Sequence, residues 1–175
     1  YYKETIVPEM KKEFGYTNDF TVPKLTKISI NVGISKERLS KEFINKIAND
    51  IYKITGQKAK ICRAKKSISG FKLTKGDING LSVTLRRNKM YEFLEKFLKV
   101  SLPRVRDFRG LSNKSFDKDN NYTTGVKEHI IFPEISYDKI ENIYGLQITF
   151  CTDAKSRKEA ISLFKHFGFP LKGSK

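Results

Sequence analysis

The chain has 175 residues, with 35 Lys and Arg against 19 Asp and Glu and a formal net charge of +16. That length fits one domain over residues 1–175, and 38% hydrophobic content with 13 Phe and 8 Tyr sets it apart from a disordered chain. The cation excess points to a polyanionic partner, since each cation placed near a phosphate releases a condensed counterion; no apolar run approaches the ~20 residues of a membrane span, and no basic amphipathic helix or lipidation site offers a membrane anchor.

Tyr2, Ile6, Met10 and Phe14 recur at helical spacing and predict an N-terminal helix limited or kinked by Pro8. Residues 25–32 alternate instead, with Thr26, Ile28, Ile30 and Val32 on one face and Lys27, Ser29 and Asn31 on the other. Leu39, Phe43, Ile47, Ile51 and Ile54 then mark a helix that Gly56 stops. Residues 58–62 predict a strand with Lys58 and Lys60 opposite Ala59 and Ile61.

The stretch 60–75 (KICRAKKSISGFKLTK) is the most informative part of the sequence. Lys60, Arg63, Lys65, Lys66, Lys72 and Lys75 surround Gly70 and one aromatic, Phe71, and no acid interrupts them. Such a run is poorly suited to a core and well suited to phosphate. It opens a segment of weak periodicity, residues 65–80, carrying Gly70, Gly76 and Gly80.

Residues 81–86 alternate again, Leu81, Val83 and Leu85 against Ser82, Thr84 and Arg86. Met90, Phe93, Leu94, Phe97 and Leu98 mark a helix face, with Asn88 as its cap and Pro103 at its end. A second weakly periodic segment, residues 103–125, mixes cations with Phe108, Phe116 and Tyr122. Loops this long are usually functional or disordered. A strand is expected around 126–132 and another over 146–151, where Leu146, Ile148 and Phe150 oppose Gln147 and Thr149. The last helix has Asp153 as its cap, Ala160, Ile161, Phe164 and Phe167 inward, and Gly168 and Pro170 at its close.

The predicted sheet therefore has an apolar face for the helices and a polar face of Lys, Arg, Ser, Thr, Asn and Gln. An ordinary solvated sheet face would look similar, but such faces usually mix charge signs. Here the polar positions lack acids and offer donors for phosphates, sugars and base edges.

Catalysis needs a constellation that the sequence does not supply. His129 and His166 are isolated, the first in a predicted strand and the second on the outer side of a helix. Cys62 and Cys151 read as lone buried thiols, which fits a reducing compartment. No phosphate-cradling glycine loop, dinucleotide fingerprint or nucleophile elbow occurs. Asp117 and Asp119 stand close but lack the further ligands of a calcium loop. No enzyme, cofactor or metal is expected. No signal-peptide pattern is visible, and a start at Tyr1 rather than Met leaves room for further leading residues.

The stretches VPKLTKISINVG, TGQKAKICRAKKSISGFKLTKG, VTLR, LPRVRDFRGL, SFDKDNNYTTGVKEHIIFPEISYDKI, YGLQITF and FGFP run in order along nearly the whole chain. Together they resemble the universal large-subunit ribosomal proteins that bind 5S rRNA, the fifth large-subunit family in bacterial nomenclature. RVRDFRGL and HIIFPEISYDKI carry the resemblance most specifically.

The resemblance implies an α+β fold with an antiparallel sheet, helices on one face and an open polar face for RNA. It implies a structural role in the central protuberance, beside large-subunit rRNA and other central-protuberance proteins. Asn31, Gln57, Lys58 and Thr84 occupy the family positions that meet 5S rRNA. Lys65, Lys66, Ser67, Gly70, Phe71 and Lys72 form the basic loop that would reach P-site tRNA. Arg109, Ser112, Lys114 and Phe116 fall in the part that would meet the small-subunit head, opposite the thirteenth small-subunit protein. The implied location is the ribosome, in bacterial cytoplasm or in an organelle such as a plastid.

The sequence departs from the family pattern at Ala59, often Pro, at Lys65, often Arg, at Asn120, often Gly, and at His129, often Gln. Lys65 keeps the charge but loses the planar fork, and Asn120 tolerates a left-handed backbone. One rival reading is a general RNA-binding chaperone outside the ribosome, which would need several aromatics arrayed on the sheet, where polar residues are predicted instead. The other is an interaction module in which residues 103–125 bind protein and the charge is incidental.

Overall fold

The computed structural model describes residues 2–34, 40–71, 73–135 and 142–172. Five strands, β1 (Leu25–Gly33), β2 (Lys60–Arg63), β3 (Ile78–Leu85), β4 (Tyr122–Val126) and β5 (Leu146–Thr152), form one sheet in the order β2-β3-β1-β5-β4. Each neighbouring pair is antiparallel. β1 takes the centre because its apolar residues are matched on both sides. Ile28 lies opposite Leu85 and Phe150, and Ile30 opposite Val83 and Ile148, all of them buried.

Against that apolar side pack the helices α2 (Lys41–Thr55), α3 (Arg87–Lys96) and α4 (Arg157–His166). α2 contributes Ile44, Ile47, Ile51 and Ile54, α3 contributes Met90, Phe93 and Leu94, and α4 contributes Ala160 and Phe164 to one core. The molecule is α+β, as expected. Much of the core is aromatic: Phe164 meets Phe169 edge-on at 4.6 Å and Phe97 lies 5.7 Å from Phe150. Such pairs favour tilted or edge-to-face geometry because of the ring quadrupole.

Local chemistry sets the helix ends. Ser40 accepts a hydrogen bond from Phe43 N at 3.1 Å to start α2, and Gly56 ends it at φ 65°. Lys89 and Lys96 then donate to the carbonyls of Gly56 and Ile54 at that C-terminus, where positive charge is favoured. A π turn (Tyr2–Ile6) leads into α1 (Val7–Phe14). Pro8 sits in the first turn of α1, where the π turn gives way to the α-helix, so it limits α1 within a helical path that already starts at Tyr2. Ile6, Val7, Met10, Val22 and Leu163 bind α1 to α4 in a second cluster.

Several expectations need correction. Thr26 is exposed and Leu25 is buried, because the register shifts between Leu25 and Lys27 against β5. β2 begins at Lys60 and lies at the sheet edge, which leaves Ile61 43% exposed. The fourth strand is 122–126 rather than 126–132, since Tyr122 pairs with Phe150 and Val126 with Leu146. His129 therefore lies in a tight turn (His129–Ile131) and not in a strand. Asn88 does not cap α3; the chain turns directly out of β3 through extended Arg86 and left-handed Arg87 at φ 54°. Past Lys96 the helical path continues through a π turn (Phe97–Ser101) into a 3-10 turn (Leu102–Arg104) that contains Pro103.

Asp153 does not cap α4 either. Its carboxylate accepts from Lys24 N at 2.6 Å, and Ser156 caps the helix in a capping box with Glu159. Cys62 and Cys151 are free and half-buried rather than fully buried. Leu39, predicted to open the second helix, lies outside the described residues.

Candidate nucleic-acid interface

Cross-strand register assembles the polar face in rows. One row runs Thr84–Ser29–Thr149–Thr123 across β3, β1, β5 and β4. The next runs Lys60–Ser82–Asn31–Gln147–Gly125 across all five strands. Lys27 lies opposite Cys151 beyond the first row. Facing residues in a sheet hold their Cβ atoms ~4.5–5.5 Å apart, so these rows form a continuous surface. It carries amides, hydroxyls and cations, and no acid occupies any of these positions.

The four residues matched to 5S rRNA binding do not sit alike. Asn31 and Thr84 are half-exposed on this face. Gln57 approaches the same region from the α2–β2 connection, but its Nε2 donates to the Thr84 carbonyl at 3.1 Å. Part of its hydrogen-bonding capacity thus anchors that connection to β3. Lys58 is exposed beside it. Burial raises the Cys151 thiol pKa, with the Asp117 charge acting the same way and the Lys27 and Arg86 charges opposing it. A raised pKa makes this thiol a poor nucleophile.

The described residues of the basic segment extend the β2–β3 hairpin. Its neck is closed by Ala64 N to Asp77 O at 2.8 Å and Gly76 N to Ala64 O at 2.9 Å, with Gly76 at φ 95°. Arg63 Nη1 braces the Gly76 carbonyl at 3.0 Å. Further out, Ile68 and Leu73 exchange hydrogen bonds around a 3-10 turn (Ser69–Phe71) that contains Gly70. Ser67 Oγ accepts from Lys75 N at 3.0 Å, so this hydroxyl also serves the loop itself. Lys65 and Lys66 project exposed from its base. Lys72 lies outside the described residues.

The segment after Pro103 is likewise shaped from within. Leu111 exchanges hydrogen bonds with the chain end through Pro170 O and Lys172 N, at 2.8 and 2.7 Å. Arg157 Nη2 donates to Asn113 O at 2.7 Å and its guanidinium lies 5.9 Å above the Phe116 ring. Arg109, Ser112 and Lys114 are exposed, but Phe116 is buried and packs 4.9 Å from Tyr122. Phe116 is a core residue holding this segment to the sheet, not an outward contact. Asp117 folds its own turn, accepting from Asp119 N at 3.0 Å and Asn121 N at 2.7 Å. Asn120 adopts φ 63° there, a left-handed backbone that asparagine tolerates.

The histidines serve the fold. His129 is buried and stacks on Tyr144 at 3.9 Å, and burial pushes its pKa below the usual value. Tyr144 in turn donates to Asp50 Oδ2 at 3.3 Å. His166 faces α1 rather than open solvent, with Glu9 at 2.8 Å and Glu13 at 3.3 Å. Among the described residues no cluster of three or more His, Cys, Asp or Glu side chains could hold a metal. Sequence reasoning misses Thr123 and Gly125 because residues 103–125 read as a loop; the alternation within YTTGV is the available signal.

Fold and surface define an α+β protein with a donor-rich, acid-free sheet face. Residues 18–73 match a family model described as Ribosomal protein L5, and residues 78–171 match the model of the same ribosomal family's C-terminus. Proteins described as large ribosomal subunit protein uL5 are similar throughout. The one from Acidovorax sp. (strain JS42) is 49% identical across 98% of this chain and 96% of its own. That from Ralstonia pickettii (strain 12J) is 50% identical over 98% and 96%, and that from Neisseria meningitidis serogroup C (strain 053442) is 49% identical over 99% and 97%. The chain belongs to the ribosomal protein L5 family, whose members are structural ribosomal components rather than enzymes.

Proposed function

We propose that this protein is a structural constituent of the large ribosomal subunit that holds 5S rRNA on the polar face of its sheet. The face itself carries this reading: five strands present amides, hydroxyls and lysines in register, with no acid among the facing positions. Ser, Thr, Asn and Gln can address sugar and base edges, while Lys27 and Lys60 address phosphates. Large-subunit rRNA and other central-protuberance proteins would surround it there.

The β2–β3 hairpin extends the same chemistry. Lys65, Lys66 and Lys72 would meet the backbone of P-site tRNA, and Ser67, Gly70 and Phe71 would shape the loop that presents them. Contacts to phosphate carry no direct sequence information, which suits a partner that changes with every codon. Arg109, Ser112 and Lys114 would face the small-subunit head, with Phe116 setting their position from below.

A gel shift at graded salt tests the central contact. The expected result is selective binding of 5S rRNA, with affinity falling by orders of magnitude between about 50 and 200 mM salt if some 6–10 phosphates are neutralised. Equal affinity for unrelated RNAs of similar length would overturn it in favour of a general RNA chaperone.

A further inference from the structure

We propose that a recess at one end of the sheet is a subsite for an unpaired nucleotide of the bound RNA, whose base edge is read by the adjacent carboxamides of Asn31 and Gln147. This deepens the platform reading above and rests on it. The recess measures about 440 Å3 and draws on all five strands, through Cys62, Gly80, Asn31, Gly33, Gln147 and Val126 among others. That volume falls in the range of ~300–1,000 Å3 typical of small-ligand sites. No acid lines it.

Gly33 and Gly80, which face each other across β1 and β3, help to shape the space. Gly125 lies beside the recess, opposite its lining residue Gln147. Gly80 has a packing reason, since a Cβ there would come within 2.5 Å of the Val32 carbonyl oxygen. Gly33 and Gly125 have none: a Cβ at either would meet nothing within 4 Å, and neither has positive φ. A glycine inside a strand weakens it, and one reason for having it is a ligand or second backbone that comes close.

The carboxamides supply the second observation. Asn31 and Gln147 are direct cross-strand partners, and both line the recess. Among the described residues neither side chain has a hydrogen-bond partner. Their neighbours differ: Thr123 and Thr149 pair with each other at 3.1 Å, and Gln57 is committed to Thr84. A carboxamide offers two donors and an acceptor on one plane, which complements a base edge. Unpaired nucleotides are the part of an RNA that exposes such edges.

Gly33→Val, Gly125→Val and Gln147→Ala test the subsite, each compared with Thr84→Ala in gel shifts on 5S rRNA and in thermal unfolding. The valine variants are expected to keep the wild-type Tm and lose at least tenfold in affinity, and Gln147→Ala is expected to lose severalfold. Wild-type affinity in both folded valine variants, alongside weakened Thr84→Ala, would overturn the recess and leave the platform standing. Should the valines unfold the protein, wild-type affinity in Gln147→Ala would overturn the recess by itself. A wild-type protein that fails to bind 5S rRNA would overturn both.

Discussion

Asn31, Thr84 and Gln57 match one family role, yet their surroundings separate them. Asn31 and Thr84 present side chains that no described residue uses, so Asn31→Ala or Thr84→Ala should weaken 5S rRNA binding by about 1 kcal/mol, the net worth of one hydrogen bond, with an unchanged Tm. Gln57 also holds the Thr84 carbonyl. Gln57→Ala should therefore lower folding stability by roughly 0.5–1.5 kcal/mol in a urea titration, besides any loss in binding. His129 provides a pH test. Its folded pKa lies below the ordinary 6.5 because burial disfavours the imidazolium, so the unfolded chain binds the proton more readily. Its contribution to stability should be complete above pH 6.5 and drain away as pH falls from there toward the folded value. His129→Gln, followed by denaturant midpoints between about pH 7 and 5, should flatten that part of the profile; an unchanged slope would show that this residue is not its source.

At the scale of elements, apolar periodicity is legible in the sequence, as is the glycine stop at Gly56, while the helix starts are not. Ile47, Ile51 and Ile54, or Leu81, Val83 and Leu85, announce their faces because burial is decided by spacing. The start of α4 is ambiguous in sequence because Asp153 and Ser156 are both good capping residues. Only the tertiary position of Lys24 N, 129 residues away in sequence, assigns Asp153 elsewhere. Ser156→Ala should accordingly destabilise the protein by ~1 kcal/mol through the helix cap. β4 escapes sequence reading for a similar reason: Tyr122–Val126 is short, holds Gly125, and becomes a strand through pairing with β5. Of the candidate contacts, Phe116 reads as a loop aromatic because nothing local reveals that it packs on Tyr122 and Phe164. The basic hairpin is an element with its own test. Replacing Lys65, Lys66 and Lys72 together with Gln should spare 5S rRNA binding but weaken P-site tRNA retention on assembled ribosomes, measured by filter binding. Loss of 5S binding instead would place the hairpin on the wrong RNA.

Across the whole molecule, one sheet divides the chemistry of the chain into two sides. Aromatic rings and the aliphatic helix stripes gather on one side, where burial in a shared core fixes the strand register. A one-residue slip would exchange the two faces, so the same packing that stabilises the core also fixes which side chains face outward. In the proposed role, the net charge of +16 would draw in RNA and make affinity depend on salt, while the registered amides and hydroxyls would decide where it settles. Lysine acetylation footprinting with and without bound 5S rRNA tests that division most directly. Lys27 and Lys60 on the polar face should lose reactivity, and Lys12 and Lys165 on the helices should keep theirs. Protection of Lys12 and Lys165 with Lys27 and Lys60 still reactive would contradict the account.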